Sequence, residues 1–400
     1  MSIRTNQLSR PLHLLANMLF AAVLLTGCGG GGSGSTSTPA KSSVTAGPIT
    51  GFGSVIVNGT RFDVSSASVA NDDDEAKSDS DLKLGMVVEV EADEITSDNA
   101  GSHAHAKNIH FRSAIIGPVD AIDTSTRLLV VLGQTVDVSA TTVFGASLPA
   151  GPFSISVGDV LEIFGMLDTA TGHYLATRIE RVNVSFFKLR GVVTNLDTSA
   201  RTFMIGGETI SYANLTPDKI PADLANGLLV YVKLETTQVA GVWVAVKVKD
   251  AVPRMKDHDE AELKGLVTSV TSQTQFSVDG IPVDASSATF DPAGATIAVG
   301  TEVEVEGAAN NGVIIATKVS IEDGNEDALN GFELHAVIEM LDATSKTFVL
   351  RGVTVSYGGS TVVFMNGMIG DLANGRMVEV KGNLSTDGTR IEATTISFEM

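Results

Sequence analysis

The chain has 400 residues, of which 27 are basic and 47 acidic, so its formal net charge is −20. This acidic balance argues against a nucleic-acid binder, because neutralising a phosphate backbone needs a cationic face. A single cysteine excludes an internal disulfide framework and a zinc site built on several thiolates. With 43% apolar residues the chain can build cores, and 40 glycines with 5% aromatic residues predict many turns around small cores.

The first 27 residues are predicted to be a secretory signal peptide. Arg4 and Arg10 introduce an apolar stretch over residues 12–25, and no acidic residue precedes Cys28. This stretch is shorter than the ~20 apolar residues of a transmembrane helix. A basic start, a short apolar segment and small residues at the end are typical of a cleaved signal.

The end of this segment, Leu-Thr-Gly-Cys at residues 25–28, resembles the lipobox of bacterial lipoproteins. The resemblance implies that diacylglycerol is attached to the sulfur of Cys28 and that the chain is cut before it. Gly29, in place of aspartate, implies the outer membrane as the destination. The protein would then bind the membrane through Cys28, since several acyl chains anchor stably. An ordinary signal peptide with an incidental cysteine is the alternative.

Residues 28–48 are rich in glycine, serine and threonine and are predicted to be a flexible tether. About 20 such residues have a root-mean-square reach of roughly 25 Å. The tether would hold the following domains away from the membrane.

The rest of the chain is predicted to be one unit repeated five times. Residues 196–203 (LDTSARTF) match residues 341–348 (LDATSKTF), and both copies later contain Asp-Leu-Ala-Asn-Gly. A late glycine recurs at intervals of 69 to 75 residues, at Gly85, Gly158, Gly227, Gly300 and Gly375. Such regular spacing indicates tandem duplication.

Each unit is predicted to contain five short strands, with a longer connection after the third. The fourth strand alternates valine with glutamate at residues 87–91 and 303–306, which predicts valines inside and glutamates on a solvated face. The fold class is therefore all-β, with five small barrels. The strand pattern resembles an OB barrel, and an SH3-like barrel is the alternative.

The predicted boundaries follow the repeat. They are signal peptide 1–27, tether 28–48, repeat 1 at 49–112, repeat 2 at 113–184, repeat 3 at 185–250, a charged linker at 251–260, repeat 4 at 261–322, an acidic linker at 323–330 and repeat 5 at 331–400.

Residues 49–59 (ITGFGSVIVNG), Phe62-Asp63 and residues 84–90 (LGMVVEV) resemble the family called domain of unknown function 5666. The first and fourth copies match best. Such units occur in tandem in bacterial envelope lipoproteins. The resemblance implies no activity, because none is assigned to the family.

The candidate metal ligands lie in repeat 1. His103 and His105 are two residues apart on one predicted strand face, and Asp72 and Asp74 lie in an acidic loop of the same unit. Imidazole and carboxylate groups bind transition metals and calcium. The alternative is a solvated loop, since the segment lacks the glycine and distal glutamate of an EF-hand loop.

Two recurring residue types are predicted to be structural. Asp63, Asp137 and Asp284 follow the third strand and are predicted to cap turns. Four phenylalanines within alternating strands are predicted to lie in the cores, namely Phe62, Phe203, Phe276 and Phe348.

No catalytic constellation or cofactor motif is present in the sequence. The predicted function is therefore a non-enzymatic, lipid-anchored array of barrels in the cell envelope, which binds or spaces an envelope protein or glycan. The alternatives are an enzyme acting on envelope glycans or lipids, and a calcium-dependent adhesin.

Overall fold

A computed structural model describes residues 41–399, apart from residues 100, 253–254 and 323–330. The predicted signal peptide, Cys28, most of the tether and the acidic linker lie outside the described residues. The described residues form one compact unit. Its strands and four short 3-10 helices confirm the all-β prediction. In the described part of the chain, no helix has the length and apolarity to cross a bilayer.

The first two repeats contain thirteen strands. Repeat 1 comprises β1 (Ser42–Phe52), β2 (Val55–Val57), β3 (Thr60–Asp63), β4 (Ser68–Asn71), β5 (Ala76–Lys77), β6 (Val87–Asp93), β7 (Thr96–Asp98) and β8 (Gly101–Phe111). Repeat 2 comprises β9 (Ile115–Asp123), β10 (Leu128–Val131), β11 (Gln134–Phe144), β12 (Val160–Asp168) and β13 (His173–Arg181).

The other three repeats follow the same plan. Repeat 3 comprises β14 (Phe187–Val192), β15 (Thr194–Asp197), β16 (Thr202–Ile205), β17 (Glu208–Ser211), β18 (Leu229–Leu234) and β19 (Trp243–Asp250). Repeat 4 comprises β20 (His258–Ser272), β21 (Gln275–Val278), β22 (Ile281–Asp284), β23 (Thr289–Asp291), β24 (Glu302–Asn310) and β25 (Val313–Ile321). Repeat 5 comprises β26 (Phe332–Val337), β27 (Glu339–Asp342), β28 (Thr347–Leu350), β29 (Val353–Ser356), β30 (Val363–Met365), β31 (Met377–Leu384) and β32 (Arg390–Phe398).

Each repeat closes into a five-stranded barrel with the order 1-2-3-5-4. In repeat 1, β1 pairs antiparallel with β2 and β6, and β8 pairs antiparallel with β6. The third and fifth barrel strands, β3 and β8, are parallel, with Phe62 opposite Ala104. The same parallel pair recurs in the other four repeats. This parallel pair identifies the OB arrangement, so the SH3-like alternative is wrong.

The connection between the third and fourth barrel strands contains little helix. Its only helical segments within the described residues are single 3-10 turns, found in all repeats except repeat 4, at Asp79–Asp81, Gly151–Ser154, Pro217–Lys219 and Ile369–Asp371. The four predicted core phenylalanines are at most 4% exposed. Apolar residues that alternate with polar ones along these strands therefore point into the barrel cores, as expected.

The barrels are joined through their first strands. In each barrel the first strand bends, so that one half pairs with the fourth strand and the other half with the second. Residues Ser43–Ala46 of β1 also pair in parallel with β20 of repeat 4, and Gly51 and Phe52 pair with β26 of repeat 5. Likewise β9 of repeat 2 pairs with β14 of repeat 3. The free edges of the first strands are therefore used between repeats.

This pairing corrects two predicted boundaries. β1 begins at Ser42 inside the predicted tether, and β20 begins at His258 inside the predicted linker. Ser43 and Thr45 resemble tether residues in composition, yet both are fully buried. The Ser43 hydroxyl donates a hydrogen bond to the Asp93 carbonyl at 2.6 Å. A polar segment is buried here because neighbouring strands satisfy its hydrogen bonds.

The hydrophobic cores merge across repeats as well. Repeats 2 and 3 share one continuous core, and repeats 1 and 5 share a second, which also takes in Val143 and Phe164 of repeat 2. The core of repeat 4 includes Val44 and Ala46 of β1. Barrels of about 70 residues are only marginally stable alone, and shared cores bury additional apolar surface.

We predict that Gly85→Ala destabilises the protein more than Gly375→Ala, its counterpart in repeat 5. Both glycines have positive φ, +79° and +84°, so alanine costs about 1–2 kcal/mol at either position. A Cβ at Gly85 would also lie 2.5 Å from the carbonyl oxygen of Thr177 in repeat 2, whereas at Gly375 it meets nothing within 4 Å. Urea denaturation followed by circular dichroism measures the difference. Equal shifts of the two midpoints would contradict the close packing of repeats 1 and 2.

Candidate functional site

A cavity of about 560 Å³ lies where repeats 1, 2, 4 and 5 meet. Its repeat 1 side is formed by β1 to β3, including Ile49, Ile56 and Arg61. Strands two and three form the ligand-binding face of OB barrels in general. Here residues of the other three repeats lie beside that face and complete a partly open cavity.

The remaining apolar walls come from repeats 2 and 5. Repeat 2 contributes Val143, Met166 and Leu175, and repeat 5 contributes Phe332. Large cavities with apolar walls and a few polar groups are typical of small-molecule sites.

Charged side chains from repeats 1, 4 and 5 converge on the cavity, and four of them form two ion pairs. Arg61 donates two hydrogen bonds to Glu333, one of them from Nη2 to Oε2 at 2.8 Å. Lys264 Nζ lies 2.7 Å from Glu322 Oε2, and both side chains are less than one-fifth exposed. Both cations that line the cavity are therefore already paired.

Glu302 and Glu304 also line the cavity, and neither carboxylate receives a hydrogen bond from a described residue. Burial raises the pKa of both, although Lys264 favours their ionised forms. Beside them, burial raises the pKa of Glu262 to about 7, and Glu304 and Glu306 add to the effect. Repeat 4 thus presents an acidic surface that protein cations neutralise only in part.

The backbone of β24 explains this geometry. Val303 and Val305 point into the repeat 4 core and are fully buried, so Glu302 and Glu304 point outward. The alternation was predicted correctly, but these glutamates are only partly exposed, which differs from the predicted solvated face. Repeats 1 and 2 cover this face, and nothing in the local sequence signals a cover supplied by residues over 100 positions away.

The structure does not bring the candidate metal ligands together. His105 Nδ1 lies 3.3 Å from Asp63 Oδ2, and His103 Nε2 lies 3.1 Å from the Thr96 hydroxyl. In the described ranges, no three histidine, cysteine, aspartate or glutamate side chains form a group that could hold a metal ion.

The acidic loop, residues 71–75, lies against repeat 3. Lys188 Nζ lies 2.6 Å from Asp72 Oδ1 and 3.4 Å from Asp73 Oδ2, and Lys249 Nζ lies 3.1 Å from Asp74 Oδ2. The side chains of Asp72 and Asp73 are only 7% and 9% exposed. Burial raises the pKa of Asp72 despite the adjacent lysine. The alternative of a solvated loop is therefore wrong for these two residues: they join repeat 1 to repeat 3.

The turn-capping prediction holds for two of three aspartates. Asp63 and Asp284 accept hydrogen bonds from the backbone N–H two residues later, at 2.9 and 3.0 Å. Asp137 instead lies 3.1 Å from His173 Nδ1. It diverges because β11 continues to Phe144 without the turn that follows Asp63 and Asp284.

The fold and the repeated pairing define a tandem array of OB-type barrels joined into one body. The chain belongs to the family described as Domain of unknown function (DUF5666), whose family model matches residues 43–99, 116–180, 190–249, 264–320 and 335–397. The five matches confirm the predicted repetition, and the first begins within one residue of β1.

Two further comparisons add little. No curated protein matches the chain. One similar solved structure, titled "drosophila Unr CSD456", is 12% identical, with 55% of this chain and 99% of that chain covered and a TM-score of 0.14. A likeness this slight carries no argument about function.

We predict that Lys188→Ala lowers the free energy of unfolding by about 3 kcal/mol or more, because it leaves the buried Asp72 without its cation, whereas Asp73 keeps Lys233 at 3.1 Å. Lys77→Ala is the matched control: its partner Glu75 is 55% exposed, and such pairs contribute about 1 kcal/mol or less. Chemical denaturation of both variants provides the comparison. If Lys188→Ala lowers the free energy of unfolding no more than the control does, the buried ion pair between repeats 1 and 3 would be contradicted.

Proposed function

We propose that this protein is a lipid-anchored, non-enzymatic component of the bacterial cell envelope, whose five barrels act as one binding body. The composite cavity carries the proposal, since it exists only where four repeats meet. Separate barrels on a string would lack it.

The anchor is supported by the sequence before the barrels. A single cysteine, Cys28, directly follows a short apolar segment, and residues 29–41 are mostly glycine, serine and threonine. Segments of this composition act as flexible tethers in proteins generally. A tether here would place the barrels near the outer membrane without fixing their orientation, so the body could meet an envelope protein or glycan.

A binding role fits the chemistry of the body better than catalysis. The most buried charged groups, such as Arg190 with Asp279 at 2.9 Å and Lys188 with Asp72, join one repeat to another. Structural ion pairs of this kind perturb pKa values without serving a reaction. Glu302 and Glu304 line the cavity and offer negative charge to a ligand.

We predict that bacteria producing the wild-type chain incorporate radiolabelled palmitate into it and retain it in the membrane fraction. Cys28→Ser removes the acceptor sulfur, so both the label and the membrane retention should be lost. Ser33→Ala, in the same tether, is the control and should keep both. Labelling that persists in Cys28→Ser, or is absent from the wild type, would contradict the proposed anchor.

A further inference from the structure

We infer that the cavity among repeats 1, 2, 4 and 5 binds an organic ammonium ion carried on an apolar body. This inference deepens the proposed function by naming a ligand class. It rests on the binding role alone and does not depend on the lipid anchor.

The charge of the cavity favours a cation. Four glutamates line it against one arginine and one lysine. Arg61 is held by Glu333 and Lys264 by Glu322, which leaves Glu302 and Glu304 as acceptors. A protonated amine would supply the hydrogen-bond donors these two carboxylates lack, and charge-assisted hydrogen bonds of this kind are strong.

The spacing of the carboxylates favours an organic cation over a metal ion. Glu302 and Glu304 lie two residues apart on one face of β24, so their backbone positions are roughly 7 Å apart. A metal ion needs several ligands converging within about 2.6 Å of one point. No such group exists among the described residues. Separated carboxylates suit an extended ligand.

The apolar walls define the rest of the ligand. Ile49, Ile56, Val143, Met166 and Phe332 face the same space as the carboxylates. A volume of about 560 Å³ holds a molecule of drug-like size, and burying its apolar part against these side chains is favourable. A diamine without an apolar group would leave these apolar side chains in contact with water. The expected ligand is therefore amphiphilic.

Dansylcadaverine, a primary amine on an apolar fluorophore, is a suitable probe. We expect saturable binding with a fluorescence increase to purified full-length chain carrying Cys28→Ser, which removes the acyl chains as a competing site. The neutral N-acetylated probe should bind at least about tenfold more weakly. The double variant Glu302→Gln/Glu304→Gln should weaken binding of the amine by a similar factor, because it keeps the shape and removes the charges.

Glu235→Gln/Glu339→Gln is the matched control, since both side chains are exposed and lie outside the cavity. It should bind the probe like the parent chain. The inference is overturned if the amine shows no saturable binding up to about 1 mM, or if the Glu302/Glu304 variant keeps full affinity. Equal binding of the neutral probe would also overturn the inferred ligand class, but it would still support a binding role for the joined barrels. The palmitate experiment tests the lipid anchor separately.

Discussion

The free edge of the bent first strand is the constraint on which this structure depends. An OB barrel leaves part of that strand unpaired, and unpaired backbone groups are a template for association. Here the edges of β1 pair with β20 and β26, and the edge of β9 pairs with β14. Duplication of the barrel therefore produced several first strands with unpaired backbone groups. The fold pairs these groups with strands of other repeats in the same chain. The result is one body in which repeats distant in sequence are neighbours.

The placement of charge follows from that pairing. Once β1 lies beside β20, the outer face of repeat 4 with Glu262 and Glu304 faces the interior of the assembly. Likewise the acidic loop with Asp72 is pressed onto lysines of repeat 3. Several acidic residues thus form ion pairs between repeats or line the cavity, although the same residue types would be solvated on an isolated barrel. The composite cavity is a consequence of joining barrels whose outer faces are charged.

Local features of the fold could be predicted from the sequence, while features that depend on distant partners could not. Period-two alternation fixes which side of β24 is apolar, and the Asp63 turn follows from its own hydrogen bond. The pairing of Thr45 with Glu262 spans 217 residues, and no local pattern encodes it. For the same reason the alternation at Glu304 indicated an outward side chain but could not show what covers it. His103 and His105 share one strand face, but the structure brings no third ligand to them within the described residues, because strand spacing alone does not set which distant residues lie nearby.

The most direct test of the account is a disulfide between β1 and β20. Thr45 and Glu262 are neighbours across that parallel pair, and their side chains contact each other at 3.4 Å. Adjacent strands lie about 4.8 Å apart, within disulfide range. In a Cys28→Ser background, Thr45→Cys/Glu262→Cys should oxidise readily, so that no thiol reacts with maleimide after unfolding in denaturant. Two maleimide-reactive thiols after oxidation would contradict the joining of repeats 1 and 4 through their first strands.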